Sequence, residues 1–119
     1  MPSDRPDYKH DPLWTEAMAL TRAAYDVASE VAEREPDEAL RLRKVAVTVP
    51  ARVAGALVAD EPSSRASEAE EARLAIEEVA ARAEKLPTRG GTARELARRA
   101  RRLEESVVRT LGRRGSAFS

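Results

Sequence analysis

Arginines are the residues of this chain best placed to do chemistry. Between positions 94 and 114 stand Arg94, Arg98, Arg99, Arg101, Arg102, Arg109, Arg113 and Arg114, against only Glu95, Glu104 and Glu105. Glu95 with Arg99, Arg101 with Glu105, and Glu105 with Arg109 are four apart, the spacing of helical ion pairs. Those pairings leave Arg94, Arg98 and Arg102 as a stripe at successive four-residue steps. Two readings of the stripe are open. It could bind a polyanion such as RNA or DNA, because each phosphate neutralised releases counterions. Alternatively it faces acidic parts of the same chain or of another copy, since residues 1–35 carry a net charge of minus four and residues 64–86 minus two. The aromatics Tyr8, Trp14, Tyr25 and Phe118 are too few and too dispersed to form a base-stacking platform.

Other chemistries find little material. Glu70-Glu71 and Glu77-Glu78 are paired carboxylates, but a di-iron bundle requires Glu-x-x-His on two helices, and the single histidine, His10, precedes the first helical segment. The chain has no cysteine, which removes disulfides, thiolate metal sites and cysteine nucleophiles. There is no glycine-rich phosphate loop and no Ser/His pair suited to catalysis. We expect neither enzyme nor cofactor nor metal. Lys plus Arg equals Asp plus Glu at 21 each, so no global positive field marks the chain as a nucleic-acid binder. No apolar leader opens the sequence, and the run from Val45 to Ala59 falls short of the ~20 residues of a membrane span. A cytoplasmic protein without membrane contact is expected.

Four segments with helical periodicity must position these groups, and 119 residues allow one domain. The first opens at Asp11-Pro12, an N-cap followed by proline at the first helical position, and runs to about Glu33. Leu13, Ala17, Leu20, Ala24, Val27 and Val31 form its seam, and Trp14, Met18, Thr21, Tyr25 and Ala28 form a second stripe beside it. The second segment spans about Asp37 to Ala59, with Ala39, Leu42, Ala46, Val49, Val53 and Ala56 as its seam. Val45, Val47, Ala51, Ala54 and Val58 lie outside that seam, so this helix should be buried on several sides. The third segment, about Ser64 to Leu86 with serine caps, has one narrow apolar face. The fourth opens on a Thr92–Glu95 capping box and reaches Leu111, with Gly112 as its C-terminal cap. The expected fold is all-α, an antiparallel up-down four-helix bundle over residues 11–112, with flexible tails at 1–10 and 113–119.

Pro50 stands inside the most apolar stretch of the second segment. An interior proline removes one hydrogen bond and crowds the carbonyl four residues back, at about 3 kcal/mol. A packing kink is expected there, with Thr48 bonding a local carbonyl. Arg43 and Lys44 should form the polar edge of the helix, and Arg52 should reach a rim or an acidic partner. Trp14 and Tyr25 read as core or interface anchors.

Through Trp14, Ala17, Leu20 and Tyr25, through Leu42, Arg43, Ala46, Val47, Pro50 and Ala54, and faintly through Ala72, Ile76, Glu78 and Val79, the sequence resembles over roughly residues 8–111, most specifically in its second helix, the four-helix-bundle proteins encoded within 23S ribosomal RNA intervening sequences, a family similar to the accessory variability proteins of diversity-generating retroelements. Trp14, Ala17, Leu20 and Tyr25 fall at that family's first-helix positions. Its second-helix signature, Leu-Arg-Arg-Ala-Ala-Val-Ser-Ile-Pro-Ser-Asn-Ile-Ala-Glu-Gly, is matched by Leu42, Arg43, Ala46, Val47, Pro50 and Ala54, with conservative replacements at Lys44, Thr48, Val49 and Val53. The family's Asn, Glu and Gly are replaced by Arg52, Gly55 and Ala56. The resemblance implies a homo-oligomeric ring, a pentamer, and in retroelement members a nucleic-acid partner or nucleic-acid enzyme. Trp14, Met18, Tyr25, Val47, Pro50, Ala51, Ala54 and Val58 are the candidate subunit interface, being apolar beyond the needs of a single bundle core.

Overall fold

The computed structural model describes residues 7–112. Four helices, α1 (Pro12–Val31), α2 (Pro36–Val58), α3 (Pro62–Glu84) and α4 (Thr92–Val107), pack in chain order, and α4 closes back onto α1. Each of the first three begins on a proline, which has no N–H to leave unsatisfied and a φ already set for a helix. Inter-helix bonds run in antiparallel register. Arg52 of α2 meets Glu71 while Glu38 meets Arg82, and along the next pair Arg73 meets Glu104 while Glu84 meets Arg101. The bundle is therefore up-down and antiparallel, as the periodicity predicts.

Its centre is filled by Leu20, Leu42, Ile76 and Leu96, with Val31, Val49, Val53, Val79 and Val107 around them. Alanines such as Ala24, Ala46, Ala72 and Ala100 occupy most of the remaining buried positions. Each large aliphatic side chain contributes about 1.5–3 kcal/mol by leaving water. No polar or charged residue is buried among the described residues.

α2 continues as helix through the buried Pro50. Residue 50 has no N–H to offer, so the carbonyl of Ala46 loses its intrahelical donor. A hydroxyl from the neighbouring helix takes that place. Thr21 Oγ1 of α1 lies 2.9 Å from the Ala46 carbonyl oxygen and 3.0 Å from that of Ala17. Thr48 Oγ1 donates to the Val45 carbonyl at 2.7 Å, the local bond the sequence suggests.

The helix starts differ from expectation in three places. Asp11 caps α1 as predicted, accepting from the Leu13 N–H at 2.8 Å. Residues 8–10, assigned to the N-terminal tail, form a 3-10 turn capped by Asp7. The proposed serine caps of α3 lie inside its first turn, because Pro62 starts the helix before them. Nor does Thr92–Glu95 form a capping box: Thr92 already has helical backbone angles, and its hydroxyl donates to Glu30 of α1 at 2.6 Å. Thr88 instead accepts the Ala93 N–H at 2.9 Å, and Glu30 accepts the Arg89 N–H at 3.2 Å. The chain turns into α4 through Gly90 and Gly91, both left-handed at φ of 71° and 74°. α4 ends in a π turn, Val108–Gly112, where the sequence suggests a glycine cap. Of the flexible tails expected at 1–10 and 113–119, residues 1–6 and 113–119 lie outside the described residues.

Candidate interaction faces on opposite sides of the bundle

The core of α4 is Ala93, Leu96, Ala97, Ala100, Leu103 and Val107, so geometry at 100° per residue sends Arg94, Arg98 and Arg102 directly outward. All three are exposed. The expected pairing of Glu95 with Arg99 is absent among the described ion pairs. Glu95 lies instead 3.4 Å from Arg98 and 3.6 Å from Arg102. Two guanidiniums therefore share one carboxylate on a solvated surface, where such contacts contribute less than about 1 kcal/mol each, and Arg94 has no ion-pair partner among the described residues. The neighbouring arginines differ. Arg101 reaches across to Glu84 of α3, whose carboxylate raises its already high pKa, and Arg109 donates to Ser106 rather than pairing with Glu105.

The carboxylate pairs of α3 are committed to arginines. Arg73 holds Glu70 at 2.8 Å, Glu77 at 3.0 Å and Glu104 at 3.1 Å. The hydrogen bond it donates to Glu70 is the main cause of a guanidinium pKa raised well beyond its usual range, and the same bond lowers the carboxyl of Glu70. Glu71 binds Arg52 at 2.7 Å and Glu78 binds Arg82 at 2.7 Å. Arg52 thus reaches an acidic partner within its own chain. Among the described residues, no group of three potential ligands could hold a metal ion, and no helix is long and apolar enough to cross a membrane.

The second face lies across the bundle. α2 and α4 are diagonal, each packed on α1 and α3. On the side of α2 opposite its core seam, Val47 is 53% exposed, Leu40 48% and Val58 38%. Ala51 is also exposed and Ala54 half-buried. Pro50 is the exception among the interface candidates, being buried. Along the α1 edge of this face Trp14 and Met18 are half-buried and Tyr25 is 40% exposed. Trp14 pairs edge-to-face with Tyr8, ring centroids 5.7 Å apart, rather than with Tyr25. On the other edge Leu74 of α3 is 50% exposed, beside a groove it shares with Val45 and Thr48 of α2.

Sequence reasoning missed Leu40, Leu74 and the hub role of Arg73. Helical spacing carried a signal for the hub, since Glu70 and Glu77 stand three before and four after Arg73. Leu40 falls on the same outward stripe as Val47, Ala51 and Val58 but is separated from them by Arg41, Arg43 and Lys44. No family model, curated protein or solved structure matches this chain.

Proposed function

We propose that this chain is a non-enzymatic scaffold that self-associates through its α1/α2 side and presents the arginines of α4 to a polyanionic partner, RNA, DNA or a nucleoprotein. The observation that carries self-association is the outward stripe of α2. Leu40, Val47 and Val58 stand open to water on the face opposite the core, on the same side of α2 as the exposed Ala51, and large apolar side chains gathered on one exposed face mark a contact site. The polyanion reading is supported by Arg94, Arg98 and Arg102, which are exposed with one carboxylate among them. It is also supported by position, because an assembly built through α2 leaves the diagonal helix α4 on its outer surface.

Light scattering over a range of concentrations, with and without RNA, tests both parts. Self-association predicts a mass at least twice the 13.0 kDa of one chain, and a monomer at every concentration overturns it. The polyanion reading predicts a further rise in mass with RNA that disappears at high salt. An RNA-independent mass leaves a purely structural or protein-binding assembly.

A further inference from the structure

The outward stripe of α2 reads the same in both directions. Positions 40, 44, 47, 51, 54 and 58 alternate steps of four and three, a second heptad seam on the side opposite the core seam. Turned end for end on itself, this seam places Leu40 against Val58, Lys44 against Ala54 and Val47 against Ala51. Every large side chain then meets a small or complementary apolar one. We propose that two copies of this chain dock α2 against α2 in this antiparallel register, about a two-fold axis passing midway between Val47 and Ala51. The inference rests on the scaffold reading above and names its partner surface.

Charge fixes the register independently of the apolar pattern. Lys44 and Gly55 are eleven residues apart, three turns along the same side of α2. Gly55 is covered by a carboxylate of α3: a Cβ built there would lie 2.9 Å from Glu68 Oε2. A two-fold axis of this kind brings the α3 side of one copy to the α3 side of the other. Lys44 then lies over Ala54 and Gly55 of the second copy, beside Glu68. Neither Lys44 nor Glu68 has an ion-pair partner among the described residues. On the α1 side, the Thr21–Ala46 bond sets the level of each residue against α2. That level carries the exposed Tyr25 of one copy towards the Trp14 end of the other.

The seam from Leu40 to Val58 is about 27 Å long and, with α1 beside it, about 20 Å wide. Such a face gives an interface of about 1,100 Å² in total, just under the ~1,200 Å² at which standard specific interfaces begin, so assembly should depend on concentration. Because the contact is the same patch on both copies, it closes as a dimer. A ring, implied by the family resemblance, would need two different patches.

The chain has no cysteine of its own, so thiols can be placed at will. Chains carrying Val47→Cys are mixed with chains carrying Ala51→Cys, oxidised, and run on a non-reducing gel. The proposed register brings residue 47 of one copy within disulfide range of residue 51 of the other, while like residues stay farther apart. The mixture should therefore form crosslinked dimer at least about fivefold faster than either variant alone. Equal rates in all three samples overturn the register. Absence of crosslinking where light scattering still shows association also overturns it, and leaves the scaffold reading intact. A strictly monomeric mass overturns both. Lys44→Glu should weaken the dimer about tenfold, and adding Glu68→Lys in the same chain should restore it. No recovery in the double variant counts against the proposed pairing.

Discussion

Removing the hydroxyl of Thr21 should destabilise this protein only because Pro50 is there. The Ala46 carbonyl belongs to a fully buried residue, and its intrahelical donor is missing, so Thr21 at 2.9 Å is its hydrogen-bond donor. A buried acceptor left without a partner costs about 1–3 kcal/mol. Thr21→Val keeps the side-chain shape and removes only the donor. In the Pro50→Ala background residue 50 regains its N–H, Ala46 is satisfied within the helix, and Thr21→Val should cost little. The four chains of this double-mutant cycle therefore differ by a coupling of about 1.5 kcal/mol. Any gain from the added methyl group appears in both backgrounds and cancels. Urea unfolding followed by circular dichroism, at one fixed protein concentration, measures it; in thermal melts the same coupling should appear as about 6 °C. An equal cost of Thr21→Val in both backgrounds refutes the account of how α2 tolerates its proline.

Arg73→Met should cost about 1 kcal/mol at neutral pH, since the site is a partly screened network rather than a buried pair. Part of that penalty should vanish in acid. The bond from Arg73 lowers the folded pKa of Glu70, so its stabilisation is complete above the unfolded carboxylate value of about 4.3 and is lost as pH falls through the lower folded value. Unfolding of both proteins at pH 7, 4 and 2.5 checks the convergence. Leu42→Ala, at a position with no solvent exposure, should cost 2–5 kcal/mol by opening a cavity, read as a lower urea midpoint. Replacing Arg94, Arg98 and Arg102 together by Gln should reduce the slope of log affinity for single-stranded RNA against log salt by about 2 while leaving the urea midpoint nearly unchanged.

Periodicity made the helices and their buried sides legible in the sequence. The core seams of α1 and α2 lie where the three-four spacing puts them, and Pro12 and Asp11 start α1 as their chemistry requires. Contacts that depend on inter-helix register were not legible. Thr21 could be placed on a stripe beside the core, but its bond to Ala46 exists only once α1 and α2 are set side by side. Glu30 likewise reaches Arg89 and Thr92, some sixty residues on, and so displaces a capping box that was locally well formed. The arginine pairings of α4 shifted because helical ion pairs are worth only a few tenths of a kcal/mol, too little to decide between carboxylates three or four residues away and one on a neighbouring helix. The spacing of Val47, Ala51 and Val58 marks them as surplus to the core, yet the direction in which they point is set by how α1 and α3 pack on α2.

The turn into α4 has a stereochemical consequence. A side-chain carbon added at Gly90 or Gly91 would meet nothing within 4 Å, so room is not what excludes other residues there. Handedness is: both sites hold φ above +70°, where an L-residue is strained by about 1 kcal/mol. A D-alanine at either site, introduced by chemical ligation, would fit the backbone as it stands. It would also narrow the conformations open to the unfolded chain, raising stability by about 0.4–1 kcal/mol. The two glycines thus mark a place where mirror-image chemistry, which the ribosome does not offer, would suit this fold better than any of the residues it does.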